Sequence, residues 1–295
     1  MEKPTQRTVL ITGCSNNSLG AALALAFHRT GNFRVLATGR NPSKLTTVKE
    51  AGLTTILLDT TSPESIAAAV SEVTTLTGGT LDILINNAGG GYSMPVLDID
   101  LSKLASLFQL NVYPLITVTK AFLPLLQKSP SPIVVNHTSV AAFLTIPFSG
   151  AYSASKAAAL CLTEALRLEL APFGVKVVAL MTASVKSTFW ENNPGEELPD
   201  DSIFASVARE TVEYAMTGKP HRERGGMDAD KWAAGVVREL AGRKPAHWVW
   251  GGQSAGLVRV AALLPVGTMD GAVRGMVGLD VIEERVKARK ARDEE

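Results

Sequence analysis

The chain has 295 residues, long enough for one large domain with an extensive buried core. Its net charge of +1, with 19% charged residues, offers no basic stripe of the kind that nucleic-acid binding needs. Its two cysteines, Cys14 and Cys161, form neither a paired framework nor a C-x-x-C spacing, so a reducing, cytoplasmic setting is expected.

The polar N-terminus lacks the apolar run of a signal peptide and leads directly into a predicted strand, residues 8–12. That strand continues into Thr12-Gly13-Cys14-Ser15-Asn16-Asn17-Ser18-Leu19-Gly20 and a predicted helix over residues 19–29. A glycine-bearing turn between strand and helix lets a pyrophosphate reach backbone N–H groups at the helix N-terminus. Gly13, Ser15, Ser18, Leu19 and Gly20 are the candidate contacts. Residues 34–38 predict a second strand. Arg40 follows it, where the adenosine ribose of a dinucleotide lies in such folds. Residues 43–50 read as a helix and 55–58 as a third strand. Asp59 follows, a carboxylate able to accept from an adenine amino group. A helix over 63–76 precedes a fourth strand, 81–85, which ends in Asn86-Asn87-Ala88-Gly89. Asn87, Ala88 and Gly89 are further cofactor candidates.

A single long helix is predicted over residues 101–127. A fifth strand, 132–136, and a helix, 151–170, come next. Residues 175–180 read as a sixth strand and 247–250 as a seventh. Apolar strands spaced by helices imply a parallel sheet covered on both faces. The predicted architecture is therefore α/β: one doubly wound Rossmann domain with a seven-stranded parallel sheet. Residues 1–252 form its dinucleotide-binding and catalytic body. Residues 184–226, irregular and rich in Pro, Gly and charge, form a lid insertion after strand six. Residues 253–295 form a C-terminal extension of the same domain. Arg259, Asp270 and Arg274 break the apolar run over 256–282, so that tail is expected to touch a lipid surface peripherally at most.

Tyr152 and Lys156 stand at i and i+4, on one face of a helix. A nearby ammonium favours the phenolate and lowers the tyrosine pKa. Ser139, just after strand five, has a hydroxyl suited to a substrate carbonyl oxygen. With the nucleotide features upstream, this set resembles the short-chain dehydrogenase/reductase family over residues 8–180. The residues that carry the resemblance are the glycine turn, Asn86-Asn87-Ala88-Gly89, Asn111, Ser139 and Tyr152-x-x-x-Lys156. The resemblance implies a catalytic set of Asn111, Ser139, Tyr152 and Lys156. Tyr152 acts as general acid/base and Lys156 lowers its pKa and holds the nicotinamide ribose. Ser139 orients the carbonyl, and Asn111 supports a water linked to Lys156. Val185 joins the cofactor contacts, and a homodimer or homotetramer is implied.

A narrower likeness is to the fungal acyl-dihydroxyacetone-phosphate reductase-like branch of that family. It rests on Thr12-Gly13-Cys14-Ser15, the Ala37-Thr38-Gly39-Arg40 strand end, Val185-Lys186-Ser187 and Trp248-Val249-Trp250. Asn17 and Ser18 stand where glycines are usual, and Thr182-Ala183 replaces the usual Pro-Gly. The expected activity is NADPH-dependent reduction of an apolar ketone or aldehyde, with hydride from nicotinamide and the proton from Tyr152. A non-redox pathway enzyme or scaffold that keeps the reductase fold is the alternative. Arg40, with no acid at the end of strand two, points to NADPH/NADP+. Phe143, Phe148, Phe189, Trp190 and Phe204 are expected to surround the substrate. No two of the four histidines are spaced as metal ligands, so no metal is expected. His137, two residues before Ser139, is expected to serve as a hydrogen-bonded packing residue.

Overall fold

Seven apolar runs are strands in the computed structural model, which describes residues 6–242 and 244–294. They are β1 (Arg7–Ile11), β2 (Phe33–Gly39), β3 (Thr54–Leu57), β4 (Ile83–Asn86), β5 (Ile133–His137), β6 (Lys176–Thr182) and β7 (Trp248–Gly251). All pair in parallel, in the order β3-β2-β1-β4-β5-β6-β7. The predicted seven-stranded, doubly wound Rossmann sheet is the one observed. Winding reverses between β1 and β4, the topological switch point at which such sheets hold ligands.

The helices in the first half of the chain are α1 (Leu19–Arg29), α2 (Thr46–Glu50), α3 (Pro63–Thr77), α4 (Leu101–Asn111), α5 (Tyr113–Leu126) and α6 (Gly150–Leu170). Those in the second half are α7 (Ala205–Met216), α8 (Lys219–Glu223), α9 (Ala229–Ala241), α10 (Ala255–Ala261), α11 (Asp270–Val277) and α12 (Leu279–Asp293). Strand side chains alternate between faces. Val9, Ile11, Ile85 and Val135 accordingly meet α1 and α9 on one side, while Leu10, Leu84 and Val134 meet α3 and α5 on the other. With both faces covered, no strand needs a polar side, which is why the runs are continuously apolar.

Three departures from the predicted elements have local causes. The single helix over 101–127 is two, α4 and α5, broken at Val112, whose ψ of −56° pairs with a φ of −116°. Pro114 lies in the first turn of α5 and has no N–H to continue the ladder. Residues 184–226 hold two helices, α7 and α8, within the irregular segment. The buried residues of α7, Ala208, Val212, Ala215 and Met216, follow helical spacing between charged neighbours. They join Leu198, Val277 of α11 and Ile282 of α12 in a cluster that also takes in Tyr92, Met94, Leu107, Phe148 and Ala151. Finally, α9, unassigned in the sequence reading, covers the sheet with Trp232, Ala233, Val236, Val237 and Leu240.

Phe122 of α5 is fully buried among Leu10, Leu84 and Val134. Phe122→Ala is expected to cost about 3–5 kcal/mol of stability by transfer and cavity terms. Urea unfolding checks this: the midpoint should fall while the slope stays constant.

Candidate active site

Parallel strands place their carboxyl ends along one edge, and the chemically able residues gather there. The turn after β1 is shaped by contact. Gly13 has φ +74°, and a Cβ on it would stand 2.9 Å from Ala88 Cα; one on Gly20 would stand 2.4 Å from the Gly13 carbonyl oxygen. Ser18 turns its hydroxyl inward. Its Oγ accepts from the Ala21 N–H and donates to the Gly13 carbonyl, both at 3.1 Å, capping α1. Asn17 takes the positive φ, 59°, that a glycine would otherwise supply. The Ser15 carbonyl accepts from the Ser18 N–H at 3.0 Å, and Leu19 packs against the core. The first turn of α1 contains no acidic residue, so its positive end is unopposed and suits a pyrophosphate.

Sequence reasoning missed the clamp on this turn. The Asn16 side chain donates to Thr46 Oγ1 at 2.8 Å and accepts from the Thr47 N–H at 3.0 Å, tying the turn to α2. Arg40 is exposed immediately after β2. Asp59 accepts from the Thr61 N–H and hydroxyl at 2.9 and 2.7 Å. Burial works to raise the Asp59 pKa, but the Thr61 bonds and the Arg40 charge outweigh it and hold it below the ordinary value. A helix N-terminus and an exposed guanidinium as donors, with a carboxylate as acceptor, stand on neighbouring strand ends and fit a dinucleotide cofactor.

The catalytic candidates converge at the ends of β4 and β5. Asn111, the last residue of α4, exchanges two bonds with Gly90: its Oδ1 accepts at 2.9 Å and its Nδ2 donates at 3.0 Å. The same Nδ2 donates to Ser155 Oγ at 3.0 Å, which donates to the Tyr152 carbonyl at 2.7 Å. α4 is thereby fastened to the turn of α6 that carries Tyr152. Lys156 Nζ lies 5.8 Å from the Tyr152 ring centroid and donates to the His137 carbonyl at 2.9 Å. Ser139 Oγ accepts from the Ala141 N–H at 3.1 Å and donates to the Thr182 carbonyl at 3.3 Å. All four predicted catalytic residues are together.

Burial dominates their acidities. It pushes Tyr152 up to about 12, against the neighbouring Ser139 side chain, which works to lower it. It pushes Lys156 down to about 8. The lowering expected from the Tyr152–Lys156 spacing is not found: desolvation raises the phenol's pKa, and Tyr152 rests protonated.

Ala88 and Asn87 each donate a backbone N–H to Thr12 Oγ1 at 2.9 Å, and Gly89 faces the Asn111 side chain. Val185 forms an isolated parallel bridge with Met227 at the base of the 184–226 segment. Of the five aromatic candidates, Phe189 and Trp190 stand beside Tyr152, and Phe148 and Phe204 belong to the cluster that holds Ala151. Phe189 meets Tyr152 at 5.5 Å between centroids, Trp190 meets Phe189 at 5.3 Å, and Phe148 meets Phe204 edge-on at 5.6 Å. Phe143 is set apart. It packs on Trp248 and Trp250 at 5.4 and 6.5 Å, because the short turn after Ser139 aims it towards β7. Asn193, unforeseen, accepts from the Gly91 N–H at 2.8 Å and donates to the Phe189 carbonyl at 2.6 Å, anchoring the segment beside the site.

Known proteins are similar to this chain. A family model described as short chain dehydrogenase matches residues 7–197. A short-chain dehydrogenase/reductase of Pestalotiopsis microspora is 43% identical, over 96% of this chain and 98% of its own. The NADPH-dependent 1-acyldihydroxyacetone phosphate reductase of Schizosaccharomyces pombe is 34% identical, over 93% and 95%. A solved short-chain dehydrogenase from Streptomyces avermitilis superposes with TM-score 0.75 at 25% identity, over 96% and 98%.

Burial and the Lys156 charge push His137 down from 6.5 to about 3. The unfolded chain therefore takes up this proton near pH 6.5 while the folded one refuses it. Stability from neutral His137 is fully present above pH 6.5 and is lost progressively as pH falls towards 3. Thermal unfolding across that range should show Tm falling with acidification, and less steeply in His137→Phe than in wild type.

Proposed function

The chain belongs to the short-chain dehydrogenase/reductase family, and on that footing we propose that it reduces an apolar ketone or aldehyde with NADPH. It is a Rossmann-fold oxidoreductase of the CH–OH/C=O class, and its family uses a nicotinamide cofactor. The observation that carries the finer reading is the grouping of Tyr152 with Lys156, 5.8 Å from its ring, and with the aromatic Phe189, 5.5 Å away. A nicotinamide, when bound, supplies the hydride. Gly13, Ser15, Ser18, Leu19, Gly20, Arg40, Asp59, Asn87, Ala88, Gly89 and Val185 would hold that cofactor, with Lys156 on its ribose. Ser139 would orient the carbonyl oxygen, and Tyr152 would deliver its phenolic proton to that oxygen as negative charge develops there. Lys156 would then stabilise the phenolate left behind, and Asn111 would keep the Tyr152 turn in register.

Phe148, Phe189, Trp190 and Phe204 favour an apolar substrate, with residues 184–226 as its cover. The aromatic contacts that seat the cover supply its packing. We read residues 253–295 as an extension of the same domain, supported by the shared core of α7, α11 and α12. Proteins of this family are typically oligomeric, and a homodimer or homotetramer is proposed here. Among the described residues no helix is long and apolar enough to cross a membrane. Leu257, Val260, Leu263, Leu264 and Val266 are exposed on and just after α10, which supports peripheral contact of a cytoplasmic enzyme with a lipid surface.

Tyr152→Phe is expected to lower turnover about 10²–10⁴-fold, as loss of general acid catalysis does, with NADPH binding retained. Assaying benzil, an apolar diketone, by loss of NADPH absorbance checks the first effect, and fluorescence titration checks the second. Cofactor choice rests on Arg40, whose guanidinium suits a ribose phosphate. Comparison of kcat/KM should show NADPH preferred over NADH, with Arg40→Ala erasing most of the preference. Equal use of both by wild type excludes the assignment.

A further inference from the structure

The histidine two residues before Ser139 has a defined job in the hydrogen-bond geometry. Asn87 Nδ2 donates to the carbonyls of Thr12 and Gly13, at 2.7 and 3.2 Å. Its Oδ1 therefore faces His137 Nδ1, at 2.8 Å. An amide oxygen only accepts, so Nδ1 carries the hydrogen. Nε2 is then a lone-pair acceptor, and it takes the Thr182 hydroxyl at 2.7 Å. A charged imidazolium would have two donors and no acceptor, and it would stand beside Lys156. The ring itself stacks on Trp232, with centroids 5.6 Å apart and planes 20° apart.

Both partners of this bond also touch the catalytic candidates through their backbones. The His137 carbonyl receives Lys156 Nζ, and the Thr182 carbonyl receives Ser139 Oγ. Ser139 has one hydrogen to give, so the placement of the Thr182 carbonyl bears on where that hydrogen goes. At the other end, Asn87 grips the carbonyls of the turn that would take the pyrophosphate. One continuous chain, Gly13–Asn87–His137–Thr182–Ser139, thus runs across the ends of β1, β4, β5 and β6.

We propose that His137 and Thr182 form a positioning pair that sets the placement of Ser139 and Lys156 and couples it, through Asn87, to the cofactor turn. This rests on the reading of the site as a carbonyl reductase. Neither residue is assigned contact with the reacting atoms. The pair acts by holding those that have it.

His137→Phe keeps a planar ring on Trp232 and removes both ring nitrogens. Thr182→Val keeps the shape and removes the hydroxyl, and Thr182→Ser keeps the hydroxyl. His137→Phe and Thr182→Val should each lower kcat/KM for benzil about tenfold, the usual scale for a buried partner left unsatisfied. The double variant should be no worse than the worse single one, because the two residues act as one unit. Thr182→Ser should restore wild-type turnover, which a mere packing role would not produce. In fluorescence titration, His137→Phe should raise the Kd for NADPH several-fold by releasing Asn87, while Thr182→Val leaves it unchanged. Wild-type turnover in Thr182→Val, multiplied losses in the double variant, or equal impairment in Thr182→Ser and Thr182→Val overturns the pair. If His137→Phe does not fold, the Thr182→Val and Thr182→Ser comparison decides. Tyr152→Phe assayed alongside separates the two readings. If it retains turnover, the reductase reading falls, and the pair is then judged on NADPH affinity alone.

Discussion

Parallel pairing of β1 with both β2 and β4 is the constraint from which the rest follows. Because neighbouring strands share one direction, every strand delivers its carboxyl end to the same edge. Because winding reverses at β1, the loops after β1 and β4 part there and leave a crevice. Residues far apart in sequence, Gly13, Asn87, His137 and Thr182, become hydrogen-bonded neighbours for this reason alone. The crossovers that permit parallel pairing also supply the helices that bury both sheet faces. The apolar strand composition and the polar edge therefore have a common origin.

Burial then decides the chemistry at that edge more than any single charge pair does. Tyr152 is driven up, and Lys156 and His137 are driven down, in each case mainly by loss of water. These shifts are mutually consistent. A protonated phenol, a lysine within reach of neutrality and a neutral imidazole carry less net charge into the interior than their ordinary forms would. The same enclosure strengthens each hydrogen bond between them and makes an unpaired group there costly.

The sequence made the repeating parts of this fold legible and left the particular ones obscure. Strand and helix alternation, the glycine turn and the Asn111, Ser139, Tyr152, Lys156 set all have fixed spacing, and each was placed within a few residues. The break at Val112 was hidden because Pro114 falls in the first turn of a helix, where proline is tolerated and does not advertise an end. The helices within 184–226 were masked by the prolines, glycines and charges around them. Asn16 and Asn193 carry no local pattern, since their partners lie on α2 and beside Gly91. His137 shares a strand face with Ser139, but its hydrogen-bond partner is Thr182, forty-five residues onward, and no short motif encodes that pairing.

Residues 184–226 and the C-terminal helices are tied together by packing. Trp190 stacks on His221 at 5.3 Å, Leu198 joins the buried face of α7, and α11 and α12 close the same small core. Asn193 and Phe189 then tie this unit to the Gly91 loop and to Tyr152. The cluster does not stop at these helices: Tyr92, Met94, Leu107, Phe148 and Ala151 of the Rossmann body belong to it as well. A continuous apolar core therefore joins α7, α11 and α12 to the body. Changes at the C-terminal helices would on that account be felt at Ala151, the residue before Tyr152, through the cluster that Val277 and Ile282 share with it.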